Sequence, residues 1–136
     1  AAMAIARFGE SGCLHIVVMD PARPFGSCRF EEAILCEHSI GAPEQWDADY
    51  AGMARAKAKL CWRHGMDSHA IQASYPYLLQ HGDTLLWGGV CRQGIVVAMS
   101  GFHPWYDDAF SCAIAACLAA LARDGHDRDS SGLFIG

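Results

Sequence analysis

The run Cys-Leu-His-Ile-Val-Val-Met at 13–19 is short and rich in β-branched residues, and it predicts a strand. Asp20, Pro21 and Pro24 mark the loop that follows. Residues 32–38 predict a second strand, ended by Gly41, Ala42 and Pro43. Over 45–64 the period changes. Trp46, Tyr50, Met53, Leu60 and Cys61 recur at helical spacing, alanines at 51, 54, 56 and 58 fill the intervals, and Gly65 stops the helix. Residues 67–80 predict a shorter helix interrupted near Pro76. Residues 84–91 and 95–100 predict a hairpin across Arg92, Gln93 and Gly94. A second long helix is predicted over 106–123. Its stripe is Phe110, Ile114, Cys117, Leu118 and Leu121, and Asp107 or Asp108 caps its first turn. At the front, the alanine-rich residues 1–8 read as the end of a helix. At the back, 124–136 read as a loosely ordered tail unless they dock on a neighbour.

The order is (α)ββα(α)ββα, with strands in pairs joined by short connections. That implies an α+β domain built on an antiparallel sheet flanked by helices, rather than alternating βαβ units. No repeat or linker divides residues 1–136, which read as a single domain.

Composition narrows the function classes. Apolar residues are 52% and charged residues 18% of the chain, a balance that favours an ordered core over disorder. So little charge leaves little to cover a monomer, and burying a face in a homo-oligomer is the expected remedy. The net charge is −5 with no basic run, which argues against nucleic acid as a partner. The longest weakly charged stretch, 109–122, falls short of the roughly 20 residues a membrane span needs. Seven cysteines lie in apolar segments without C-x-x-C spacing. They read as buried, reduced thiols, and hence as a cytoplasmic protein.

Three stretches carry a resemblance. Trp87-Gly88-Gly89-Val90 is followed by Gly94-Ile95-Val96-Val97-Ala98-Met99-Ser100-Gly101, and then by Asp107-Asp108 opening an alanine-rich helix. With Ala54-Arg55-Ala56-Lys57-Ala58 and the strand from His15 to Asp20, these resemble the GlcG/HbpS family of small haem-binding or haem-degrading domains, over about 13–123. The resemblance implies a profilin-like fold and assembly into dimers or rings. It also implies haem or a corrinoid as the ligand class. The chain departs from the family pattern where Val90-Cys91-Arg92 stands in place of a proline-bearing continuation, and where His103-Pro104-Trp105-Tyr106 is bulkier than usual.

The residues themselves point to one corner. His103 follows Ser100-Gly101 and precedes the acidic helix start, where free backbone N–H groups suit a carboxylate or propionate. Glycines at 88, 89 and 101 would let backbone approach a ligand closely. The expected ligand-binding set is therefore Gly88, Gly89, Ser100, Gly101, His103 and Asp107. The competing reading is that these glycines only allow tight packing. His15 and His38 would meet on a strand pair and could hold a metal, although a sheet-surface role explains each more simply. A Ser100/His103/Asp107 hydrolytic triad lacks the G-x-S-x-G elbow and is set aside. The four tryptophans read as core or interface anchors. Two functions stay open: a small-molecule-binding domain, catalytic or not, for a flat anionic cofactor, and an assembly domain with no cofactor.

Overall fold

The computed structural model describes residues 12–42, 48–131 and 134–135. The readings of 1–8 and of Trp46 lie outside those residues. The strands are β1 (Leu14–Met19), β2 (Ile34–Ile40), β3 (Gly89–Arg92) and β4 (Ile95–Ser100). They form one antiparallel sheet in the order β2-β1-β4-β3. The helices are α1 (Tyr50–His64), α2 (Ser68–Ser74) and α3 (Pro104–Asp129). The chain is thus α+β, with a four-stranded antiparallel sheet.

The period-two pattern of β1 and β4 decides which helix covers which face. Val17, Met19, Val96 and Ala98 pack against Ala54, Ala58 and Cys61 of α1. The alternate residues Val18 and Val97, with Val90, pack against Ala115 of α3. Leu14 and Met99 continue that second core toward Phe110 and Ile114. The sheet is therefore sandwiched between α1 and α3. On the α1 side, the half-buried Trp62 donates its indole N–H to Arg23 O at 2.8 Å and meets Phe25 and Phe30 edge-on.

Helix α1 begins at Tyr50, capped by Asp49, whose carboxylate accepts from Gly52 N at 3.0 Å. That start lies inside the 45–64 stretch that the periodicity predicts. The β3–β4 connection is the tight two-residue kind, with Gln93 at φ 52° and Gly94 at φ 79°, matching the twist of the strands it joins.

Two expectations need correction. The strand predicted over 84–91 forms only at 89–92. Gln72 Nε2 donates to the carbonyls of Thr84 and Leu86 (3.0 and 3.1 Å), and Gly88 turns at φ 128°, so the preceding residues do not enter the sheet. The outer edge of β3 is closed by side chains as well. Ser68 Oγ bonds both Gly89 N and Gly89 O, and Asp67 Oδ1 accepts from Cys91 N at 2.8 Å. Such side-chain cover removes the template for further pairing. The second correction is at the C-terminal end. The helix does not stop at Arg123 but runs through Asp129, supported by Arg123–Asp127 and Asp124–Arg128 pairs one turn apart. The residues beyond it form a short ladder, β5 (Ser130–Ser131) with β6 (Phe134–Ile135). At 26 residues, α3 is long and apolar enough by length and composition to cross a membrane, unlike the shorter 109–122 stretch. Here its sheet-facing residues are spent on the core.

The cysteines are all free thiols, but not all buried. Cys13 and Cys61 are buried, whereas Cys36 and Cys117 are exposed. Burial pushes the Cys61 thiol far above its ordinary value.

Candidate functional site

The corner singled out in the sequence is where α1, β3, β4 and the start of α3 meet. Lys57 and Asp107 organise it. Both are buried, at 1% exposure each. Lys57 Nζ reaches across from α1, donating to Asp107 Oδ2 and to Met99 O, each at 2.9 Å. Asp107 Oδ1 accepts from Phe102 N at 3.0 Å. Burial pushes the Lys57 ammonium down and the Asp107 carboxyl up from their ordinary values, and their mutual attraction opposes both shifts. The pair ties the helix on one face of the sheet to the helix on the other.

The glycines make room for that tie. A Cβ on Gly88 would lie 2.7 Å from Met99 O and 2.8 Å from both Asp107 Cβ and Lys57 Nζ. One on Gly89 would lie 2.6 Å from Cys61 Sγ and 2.8 Å from Lys57 O. Ser111 Oγ closes the group by donating to Gly88 O at 2.8 Å. Ser100 is buried and its hydroxyl contacts Met53 Sδ, while Gly101 packs against Cys13 and Leu14. Of the six predicted residues, Gly88, Gly89 and Asp107 meet around Lys57, Gly101 lies beside Asp107, and Ser100 faces Met53 instead. The space at the glycines is filled by the protein's own atoms. The His103 ring is on the surface, stacked on the Trp105 ring at 5.0 Å and 9°, while its carbonyl accepts from Asp107 N at 3.0 Å. Asp107 serves Lys57 and the Phe102 amide, not a catalytic triad.

Beside this core lies an exposed imidazole–indole cluster that sequence reasoning missed. His69, on α2, hydrogen-bonds Asp108 Oδ1 through Nδ1 at 3.1 Å. Its ring lies against Trp87, with centroids 4.8 Å apart. Trp87 is 41% exposed and Trp105 56%. Trp105 and Asp108 are three apart on α3, so the His103–Trp105 and His69–Trp87 pairs flank the same helix end. Among the described residues, His69 Nε2 carries no hydrogen-bond partner. A carboxylate on Nδ1 fixes the tautomer that leaves Nε2 as a lone-pair donor, the arrangement common behind metal-bound histidines. His69, Trp87 and Asp108 are 18 to 39 residues apart, and no local pattern joins them.

His15 and His38 do not meet. His15 pairs with Ser39 and His38 with Ile16, so the two imidazoles fall on opposite faces of the sheet. The buried His15 instead bridges Ser39 Oγ (2.8 Å) and Glu37 Oε1 (3.1 Å). The Arg55 guanidinium grips Glu37 from α1 and holds its carboxyl below the usual range. Among the described residues no group of three or more histidine, cysteine or carboxylate side chains could hold a metal ion.

An apolar cavity of about 390 Å³ opens between α3 and the β1–β2 side of the sheet, lined by Leu14, Ile16, Ile40, Phe110 and Ile114 among others. No protein-family model matches the sequence, and no curated protein matches it either.

Proposed function

We propose that this chain is a GlcG/HbpS-type domain of profilin-like fold that binds a flat, anionic cofactor such as haem or a corrinoid at the start of α3. The carrying observation is the His69–Asp108 pair beside the exposed Trp87 ring. A macrocycle bound here would be held by aromatic faces and by an imidazole donor. Trp87 and Trp105 are of the first kind, and His69 Nε2 is of the second. The exposed rings fit the flat face of such a group lying against the surface. They do not fit one inserted among the glycines, where Lys57 and Asp107 already stand. A bound haem would supply iron for redox or gas-binding chemistry, and this chain's part is to hold and orient it. The free thiols agree with a reducing, cytoplasmic setting.

The test is a haemin titration followed by visible absorption. Wild-type protein should show a saturable Soret shift at micromolar concentrations. His69→Ala should weaken binding at least tenfold and change the Soret position, with an unchanged melting temperature, because the side chain is partly exposed. His103→Ala should have a smaller effect. An unaltered spectrum and affinity in His69→Ala would remove the proposed role of His69. The second reading, a homo-oligomeric assembly domain without cofactor, is favoured by the open apolar cavity beside α3. It takes over if wild-type protein binds no haemin and no cobalamin.

A further inference from the structure

A second cavity, of about 420 Å³, lies on the side of α1 away from the imidazole–indole cluster and is distinct in chemistry. Arg55, Lys59 and Arg63 line it from successive turns of α1, and His81, Gly82 and Asp83 line it from the turn before β3. Phe30, Gly52 and Ala56 supply apolar wall. Three cations one turn apart repel one another unless each is neutralised. Two of them are. Arg55 is held by Glu37, and Arg63 pairs in a bidentate fork with Asp83. Lys59, the middle one, has no ion-pair or hydrogen-bond partner among the described residues, and neither has the His81 side chain. The backbone amides of His81 and Gly82 are likewise unbonded within the described residues. The chain has only two lysines, and the other is buried in the pair with Asp107.

From this we infer that the cavity binds a small molecule through one oxyanion head, a phosphate or a carboxylate, placed between Lys59 and the 81–82 turn. The ammonium and the open amides are donors of the kind that hold such groups. The Arg63–Asp83 fork fixes the turn, so the donors are in place before the ligand arrives. Glu31 also lines the wall, within electrostatic reach of Arg29 and Arg55, and its charge limits the site to a single anionic head rather than a polyanion. The volume left over accommodates an uncharged remainder against Phe30 and Ala56.

The experiment is an amide and side-chain NMR titration of the full chain with inorganic phosphate, and separately with acetate, at constant ionic strength set by chloride. Saturable shifts confined to Lys59, His81, Gly82 and their neighbours, at millimolar concentration, are expected with at least one of the two anions. The anion that saturates first identifies the head group. Lys59→Met should weaken that binding at least fivefold. Lys59→Arg should retain it. Because Lys59 is exposed, neither variant should change the melting temperature. Shifts that stay linear to about 50 mM, with screening held constant, or a Lys59→Met variant that binds as wild type, would overturn the inference.

Discussion

Replacing Lys57 by methionine is expected to cost about 3–5 kcal/mol of folding stability, because it leaves the Asp107 carboxylate buried without its cation. The side chains are 1% and 2% exposed, so water cannot take the place of the lost partner. The same change also frees Met99 O, which accepts from the ammonium at 2.9 Å. A Lys57→Met/Asp107→Asn double variant should recover part of the loss. Asparagine keeps an acceptor for Phe102 N while removing the buried charge. Urea denaturation of the two single variants and the double variant yields the coupling directly. A Lys57→Met loss under about 1 kcal/mol would mean that the corner is wetter than its geometry indicates.

Alanine at Gly101 is the second large effect, at least about 3 kcal/mol, enough to unfold a marginal domain. A Cβ there would collide with Cys13 O and lie 2.9 Å from Leu14 Cα. Both are backbone atoms of the neighbouring strand end and cannot swing aside as a flexible side chain would. The backbone at Gly101, φ 152°, is also one that residues with a Cβ rarely adopt. Gly82→Ala is the control. Its φ is 90° but nothing lies within 4 Å, so only the conformational cost of about 1–2 kcal/mol remains. Thermal and urea melts of the two variants should differ clearly. Equal losses would show that the steric contact at Gly101 relaxes.

Much of the fold was legible because burial in this chain follows period. The strands at 14–19 and 95–100 alternate between two cores, and α1 shows its stripe. The stripe expected on α3 does not hold to its end: Cys117 and Leu121 are exposed, and the buried line is Asp107, Ser111 and Ala115. The Lys57–Asp107 pair also leaves a trace in the sequence. Lys57 falls in phase with Tyr50, Met53, Leu60 and Cys61, and Asp107 in phase with Phe110 and Ile114. An opposite charge in each apolar stripe is the signature of a buried tie between two helices. In the sequence Lys57 alternates with alanine between Arg55 and Lys59, which hides its phase with the apolar positions. The strand expected over 84–88 failed for a tertiary reason, since Gln72 takes carbonyls that a ladder would use. His69, Trp87 and Asp108 gave no signal because only the fold joins α2, the segment before β3 and α3. At Gly88 and Gly89 the close approach is the packing kind, against Met99, Asp107, Lys57 and Cys61, not the approach of backbone to a ligand. What approaches them is the protein itself.

Where a macrocycle lands decides between the His69 cluster and the apolar cavity. Diamagnetic zinc protoporphyrin, titrated into isotopically labelled protein and followed by amide and indole NMR shifts, reports the position through ring currents. The largest shifts are expected at His69, Trp87, Trp105 and Asp108, with smaller ones at His103 and little change around Leu14 and Ile40. Shifts centred instead on Leu14, Ile40, Phe110 and Ile114 would place the ligand in the apolar cavity beside α3 and contradict the assignment of His69 as its anchor.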